Sequence, residues 1–270
     1  MNVLDYTNET IKGLFGLSDK TIIITGGAGG LGFAMARGFT NFGANVVLTG
    51  RTQDPLDKAA SELADTGAKI LTVVGDTREV ADCQRIVDET VSNFGAIDVV
   101  VPAAGVACRH PAEDFPEEDF DLVIDTNVKG TWNIDQAAAK QMIKQFEQGK
   151  SPAGKIINIS SVRANSGHPL GYGAFAASKG AVISMTRQQA VEWSKYDINV
   201  NAVGPTIVLS ALTESILDDP EKAKVFTDRI LFNRPMVPGE LIGSAIFLAS
   251  AASDFITGQV LYVDGGCVAG

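Results

Sequence analysis

The sequence contains few cysteines and histidines, three and two respectively in 270 residues. Cys83, Cys108 and Cys267 lie far apart and show none of the short spacings of zinc sites, and an odd number of cysteines does not form a disulfide scaffold. The two histidines, His110 and His168, add too few ligands for a metal cluster. The sequence therefore predicts no metal site and is typical of a protein of the reducing cytoplasm.

The chain also lacks an excess of positive charge and lacks long apolar runs. Lys and Arg total 22 against 32 Asp and Glu, which gives a net charge of -10. Nucleic-acid-binding proteins normally present a basic face, and membrane-surface helices are usually basic, so both classes are disfavoured. No apolar run reaches the roughly 18 residues of a transmembrane helix. Asp5 and Glu9 near the start do not fit a secretory signal.

Short apolar runs alternate with longer segments that have helical spacing of apolar residues. The short runs are rich in β-branched residues and mostly continuous, as in strands buried on both faces of a parallel sheet. They are Ile22–Thr25, Val46–Leu48, Ile70–Val74, Val99–Val101, Ile156–Ile159, Ile198–Val203 and Val260–Val263. The helical segments are Leu31–Phe42, Pro55–Ala64, Val80–Phe94, Val128–Phe146, Gly173–Trp193 and Leu241–Ala249. This alternation predicts an α/β fold with a doubly wound parallel sheet.

No linker or shift in charge divides the chain, so we expect a single domain over residues 1–270. Residues 1–16 precede the first strand and form an N-terminal extension. Thr206–Glu240 interrupts the strand–helix alternation, which suits a lid over the substrate. An insertion that only packs on the surface is an equally compatible interpretation of that segment.

A glycine-rich sequence, TGGAGGLG at residues 25–32, joins the first strand to the first long helix. Glycines here permit a tight turn and let a dinucleotide pyrophosphate approach the backbone at the helix N-terminus. After the second strand, Arg51 and Thr52 stand where an acidic residue would bind the ribose of NAD(H). Arg51 suits a 2′-phosphate and favours NADP(H) over NAD(H), although a solvated arginine is the alternative interpretation. Asp76, after the third strand, is also placed to cap the following helix.

The chain resembles the short-chain dehydrogenase/reductase family in several motifs that occur in the family's order. They are TGGAGGLG at 25–32, Asp76, TNVKG at 126–130, ISS at 159–161, AASK at 176–179, NVNA at 199–202 and VDGG at 263–266. The resemblance covers about Leu17 to Gly266. It implies a Rossmann-type sheet, a nicotinamide cofactor, a small carbonyl or alcohol substrate, and a homotetramer or homodimer.

The resemblance also implies which residues form the site. Catalysis in the family uses an Asn, a Ser and a Tyr-x-x-x-Lys pair, which correspond here to Asn127, Ser161 and Lys179, with Phe175 at the tyrosine position. The implied cofactor-binding residues are Gly26, Gly30, Leu31, Gly32, Arg51, Thr52, Asp76, Ala104, Gly105, Asn127, Lys179, Pro205, Val208 and Ser210.

Phe175 is the main departure from the family pattern, because phenylalanine has no proton to donate. Loss of general acid catalysis lowers a rate by about 10²–10⁴. Three hypotheses follow: a Tyr→Phe replacement engineered to hold a ligand without turnover, a natural protein that only binds NADP(H), or a phenol supplied by Tyr172. We favour the first, because a chain without activity has no need of Asn127, Ser161 and Lys179.

Four potential cations follow strand ends at the edge of the sheet where ligands bind: Arg109, His110, Arg163 and His168. Together they suit a carboxylate or a polyol. Residues 104–109 and 116–120 are similar to the sugar-acid branch of the family, such as gluconate 5-dehydrogenases. The sequence therefore predicts an oxidoreductase that interconverts a small polar ketone and a secondary alcohol, such as a keto sugar acid. The alternative is an NADP(H)-binding sensor or scaffold without turnover.

Overall fold

The parallel sheet expected from the sequence is present in the computed structural model, which describes residues 7–210 and 213–270. In these ranges, seven strands form one sheet in the order β3-β2-β1-β4-β5-β6-β7, and all neighbouring pairs are parallel. The strands are β1 Thr21–Thr25, β2 Asn45–Gly50, β3 Ile70–Val74, β4 Val99–Pro102, β5 Gly154–Ile159, β6 Ile198–Pro205 and β7 Val260–Val263. The predicted Rossmann-type doubly wound sheet in a single domain is confirmed.

Helices cover both faces of the sheet and explain why its strands are continuously apolar. In β1, Ile22 and Ile24 pack into one core with Phe39, whereas Ile23 points to the opposite core with Ile86. Alternate side chains of each strand thus enter different cores. The helices are α1 Asn8–Gly13, α2 Gly30–Asn41, α3 Gln53–Leu63, α4 Val80–Phe94, α5 Glu117–Ile124, α6 Gly130–Glu147, α7 Gly173–Trp193, α8 Glu214–Leu217, α9 Pro220–Thr227 and α10 Ile242–Ala249.

The helix expected over Val128–Phe146 has a longer and less regular start than the sequence predicted. It is preceded by α5, and a π-helical turn over Asp125–Lys129 joins α5 to α6. A π-helical turn widens the helix locally and is often found at functional sites. Here it carries Asn127, whose side chain is fully buried.

The two segments expected outside the strand–helix alternation are only partly described. Residues 1–6 of the N-terminal extension and residues 211–212 of Thr206–Glu240 lie outside the described residues. The described part of Thr206–Glu240 contains α8 and α9. None of the described helices combines the length and apolar character needed to cross a membrane. The described residues hold no group of three His, Cys, Asp or Glu that suits a metal ion.

One carboxyl group is buried between β5, α6 and α7. Asp135 of α6 is 0% exposed, and neither of its carboxylate oxygens makes a hydrogen bond. The amides of Asn158 and Gln189 lie near it, and both keep side-chain atoms without partners. Burial raises the pKa of Asp135 from 3.8 to about 8, since an ionised carboxylate is poorly solvated there. Burial therefore favours the protonated form of Asp135.

Asp135 makes stability depend on pH with a definite sign. Between these two pKa values the folded state keeps a proton that the unfolded state releases. The contribution of Asp135 to the free energy of unfolding is therefore fully present below pH 3.8 and is lost as the pH rises towards about 8. We expect Asp135→Asn to raise the thermal unfolding midpoint at about pH 8 by roughly 2–8 °C, and by less at about pH 5. The measurement is thermal unfolding followed by circular dichroism across this range. The exposed Asp88→Asn on α4 is the control, and an equal gain from Asp135→Asn at every pH would contradict the assignment.

Candidate active site

A cavity of about 330 Å³ opens at the carboxyl ends of the central strands. Its walls include the glycine loop after β1, the ends of β5 and β6, the start of α7 and part of Thr206–Glu240. The chain leaves β1 on one side for β2, and β4 lies on its other side. Such a reversal of strand order opens a crevice in which open α/β sheets bind ligands.

The glycine loop presents backbone rather than side chains to this cavity. Helix α2 begins at Gly30, and Gly29 before it has no side chain to cap the first free N–H groups. A Cβ on Gly26, where φ is +63°, would lie 2.9 Å from the Cα of Ala104. A Cβ on Gly32 would lie 2.3 Å from a carbonyl oxygen of the same loop. The free N–H groups and the positive end of the helix suit a phosphate group.

A second cavity of about 190 Å³ lies at the ends of β2 and β3 and shares Gly26 and Gly105 with the first. It is lined by Arg51, Asp76 and Ala104, as expected for the cofactor-binding residues. The two cavities together make an elongated crevice along the edge of the sheet. Thr52 is the exposed N-cap residue of α3, and it lines neither cavity in the described structure.

Arg78 also lines the second cavity and was not predicted from the sequence. The Asp76 carboxylate accepts hydrogen bonds from the Arg78 guanidinium at 2.6 and 3.0 Å and from its backbone N–H at 3.0 Å. These bonds lower the pKa of Asp76 below its usual value. The expectation that Asp76 caps the helix is wrong, because α4 begins at Val80 with Glu79 at the N-cap. Asp76 instead closes a turn that aims a second guanidinium at the cavity of Arg51.

Asn127 uses its whole side-chain amide to hold neighbouring segments together. Its carbonyl accepts from the N–H of Val106 at 2.8 Å, and its NH₂ donates to the carbonyl of Val106 at 2.9 Å. The same NH₂ donates to the hydroxyl of Ser178 on α7 at 3.1 Å. Asn127 thus joins the loop after β4, the π-helical turn and the helix that carries Phe175 and Lys179.

Ser161, Phe175 and Lys179 meet at the wall of the first cavity. The hydroxyl of Ser161 donates to the carbonyl of Pro205 at 3.3 Å. The Lys179 ammonium donates to the carbonyl of Ile159 at 2.8 Å and lies 5.6 Å from the centre of the Phe175 ring. Burial lowers the pKa of Lys179 to about 8. The expected residues therefore come together, with an aromatic ring but no hydroxyl at position 175.

Of the four potential cations, Arg109 and Arg163 line the first cavity. His110 lies outside the cavity wall and bonds to the Asp119 carboxylate at 2.6 Å. The expectation of a cation at His168 is wrong, because burial and the nearby Arg163 and Arg229 lower its pKa to about 4. The neutral His168 ring stacks on Phe226, with 4.1 Å between the ring centres.

The segment Thr206–Glu240 closes one side of the cavity. Val208 and Ser210 line the cavity as expected. Ser210 faces the N-terminus of α2, since a Cβ added to Gly30 would lie 3.2 Å from the Cβ of Ser210. Thr213, whose hydroxyl bonds to the Val208 carbonyl, and Phe226 of α9 also line the cavity. Neither was predicted, and the only available signal was their position in this segment. Tyr172, at the start of α7, lines the cavity beside Phe175, 5.9 Å away between ring centres.

Because Asn127 links three segments by hydrogen bonds, we expect the protein to lose stability when its side-chain amide is removed. Asn127→Ala leaves the Val106 N–H without its acceptor in the interior, so we expect the free energy of unfolding to fall by about 1–3 kcal/mol. Urea unfolding followed by tryptophan fluorescence measures the change. The control is Asn93→Ala, which removes an exposed amide on α4. That amide donates a hydrogen bond to the carbonyl of Glu89. Equal effects of the two substitutions would contradict this role.

Comparisons with known proteins agree with the fold. A family model described as enoyl-(acyl carrier protein) reductase matches residues 26–268. The chain is 36% identical over 256 residues to the gluconate 5-dehydrogenase of Gluconobacter oxydans, covering 94% of this chain and 96% of the relative. It is 34% identical over 253 residues to the 5-keto-D-gluconate 5-reductase of Escherichia coli, covering 94% and 97%.

Among solved structures, a gluconate 5-dehydrogenase from Burkholderia cenocepacia in complex with NADP and tartrate is similar over nearly its whole length. The TM-score is 0.89 at 34% identity, with 96% of this chain and 98% of the other covered. At this level of identity and coverage the similarity extends to family membership as well as to the fold.

Proposed function

The chain belongs to the short-chain dehydrogenase/reductase family, and on that premise we propose that it is an NADP(H)-dependent oxidoreductase that interconverts a ketone and a secondary alcohol of a sugar acid. The main support for this proposal is that Ser161, Lys179 and the glycine loop line the same cavity. The named activities of the gluconate dehydrogenase and ketogluconate reductase relatives support the substrate class.

The elongated crevice fits a dinucleotide cofactor. The uncapped start of α2 suits the pyrophosphate, and Arg51 with Arg78 suits a 2′-phosphate on the adenosine ribose. The nicotinamide, when bound, supplies or accepts the hydride. We assign cofactor binding to the expected residues that line the two cavities: Gly26, Gly30, Leu31, Gly32, Arg51, Asp76, Ala104, Gly105, Lys179, Pro205, Val208 and Ser210. Thr52 and the fully buried Asn127 line neither cavity, so we no longer assign them direct contact with the cofactor.

In the reducing direction the carbonyl oxygen gains a proton as its carbon gains the hydride. Ser161 lines the cavity, and rotating its hydroxyl away from the Pro205 carbonyl, its acceptor in the free protein, lets it donate a hydrogen bond to that oxygen. The buried ammonium of Lys179 stabilises negative charge near that oxygen. Asn127 holds the surrounding backbone in place. Phe175 stands where the family has its proton donor, so we propose that turnover in this chain is strongly reduced while binding is retained.

Restoring a hydroxyl at position 175 tests this function. We expect Phe175→Tyr to raise kcat for NADPH oxidation with 5-keto-D-gluconate by about 10²–10⁴, because the other catalytic groups are in place. Phe120→Tyr, an exposed phenylalanine of α5 outside the cavity, is the control. If Phe175→Tyr shows no turnover with any keto acid or keto sugar while NADPH still binds, the sensor or scaffold hypothesis replaces this one. If the original chain is already active and Tyr172→Phe abolishes turnover, Tyr172 supplies the phenol.

The preference for NADP(H) depends on Arg51 and is testable without turnover. We expect Arg51→Ala to weaken binding of 2′,5′-ADP about tenfold or more and to leave 5′-AMP unchanged, since only the former carries the 2′-phosphate. Isothermal titration calorimetry measures both. Arg37→Ala, a half-buried arginine of α2 that is paired with Asp65 and lines neither cavity, is the matched control. Equal affinity of the original chain for the two nucleotides would contradict the preference.

We propose further that Thr206–Glu240 acts as the substrate-covering lid, because its described residues close one side of the cavity. We also propose a cytoplasmic homotetramer or homodimer. Exposed apolar side chains on the long helices, Trp132 and Phe146 of α6 and Val191 of α7, support such an assembly.

A further inference from the structure

Arg163 is a buried cation without an acidic partner. It follows β5 in the short turn Val162–Ala164, is 7% exposed and lines the first cavity. One terminal nitrogen of its guanidinium donates to the carbonyl of Gly167 at 3.3 Å, and the other lies 3.8 Å from the sulfur of Cys267. Within the described residues no carboxylate forms a salt bridge with it.

This is an unfavourable place for a charge in the free protein. A guanidinium carries five N–H donors, and a buried charge is normally paired with an opposite one. The pKa of Arg163 is lowered by burial and by the positive charge of Arg229, which donates to the same Gly167 carbonyl at 2.6 Å. Other arginines with side-chain ion pairs are far more exposed: Arg37, Arg78, Arg85 and Arg234. The unpaired charge therefore sits in the cavity wall of a protein whose net charge is -10.

We propose that Arg163 binds a carboxylate group of the substrate and selects acids over neutral sugars. The inference rests on the proposed function for the reaction and adds the group that recognises the acid. A planar guanidinium forms two parallel hydrogen bonds with a carboxylate, which fixes orientation as well as charge. The Gly167 carbonyl and the Cys267 thiol hold the guanidinium in place before the substrate arrives.

The same turn links the carboxylate site to the reacting carbonyl. The backbone N–H of Arg163 donates to the hydroxyl oxygen of Ser161 at 3.2 Å. This bond fixes the backbone of the turn beside the Ser161 hydroxyl, and both residues line the same cavity. We expect an acid bound at Arg163 to lie within that cavity beside Ser161. Arg109 is less suited to this role, because it is exposed and its guanidinium lies beside the phenol of Tyr172.

Anion binding tests the proposal without turnover. Tartrate and threitol have the same four-carbon chain and central hydroxyls, but only tartrate carries carboxylates. Isothermal titration calorimetry of the full chain, with and without NADP⁺, measures the affinity of each probe. We expect the original chain to prefer tartrate. We expect Arg163→Gln to weaken tartrate about tenfold or more and to leave threitol unchanged, since a charge-assisted pair is lost.

Two further variants separate recognition from general effects. Arg163→Lys keeps the charge but loses the planar fork, so tartrate weakens by a smaller factor. Arg229→Gln removes the exposed charge that shares the Gly167 carbonyl and changes tartrate affinity less than threefold. If Arg163→Gln does not fold, Arg163→Lys and the comparison of the two probes on the original chain carry the test.

Three results overturn the proposal: equal binding of tartrate and threitol by the original chain, unchanged tartrate affinity in both Arg163 variants, or an equal loss in Arg229→Gln. Arg163-dependent tartrate binding without turnover in Phe175→Tyr leaves the anion site standing and removes the proposed reaction. Turnover of neutral and acidic ketones at equal KM in Phe175→Tyr would keep the reaction and remove the selection for acids.

Discussion

The side-chain amide of Asn127 connects the segments on which the rest of the site depends. One amide satisfies both backbone groups of Val106 and reaches Ser178 on α7. A polar group buried this deeply is stable only when its hydrogen bonds are made, so the three segments have little freedom to move apart. The π-helical turn supplies the position from which one residue reaches both neighbours. The bond to Ser178 contributes to the alignment of α7, together with the bonds that Thr186 and Lys179 make with β5 and the residue after it.

The protein has a net charge of -10, but several arginines line the crevice. Arg51 and Arg78 lie at one end, and Arg109 and Arg163 lie at the other. Between them the uncapped start of α2 adds the positive end of a helix. A crevice of this kind suits a ligand with negative charge at two separate places. A phosphorylated dinucleotide beside an acid substrate meets that description.

Position 175 presents an aromatic ring without a hydroxyl to the first cavity. Phe175 packs against Tyr172, and the Lys179 ammonium lies over its ring with a second partner in the Ile159 carbonyl. The lowered pKa of Lys179 follows from the burial of its ammonium group. The proposed loss of turnover depends on this one missing hydroxyl.

The sequence by itself determined the seven strands, the long helices and many of the residues that line the two cavities. Continuous apolar runs indicate buried strands, and the glycine loop indicates a tight turn. Both patterns depend on residues that are close in the sequence, so one sequence is enough to recognise them. Only the tertiary structure decided which charges remain free. His110 and Arg78 are bound by Asp119 and Asp76, His168 is neutral through burial, and Arg163 is left unpaired in the cavity wall. The partners of Arg78 and His110 lie only two and nine residues away, but the sequence does not show that the side chains turn towards each other. The surroundings of His168 and Arg163 include Phe226 and Cys267, which the fold brings from distant parts of the chain.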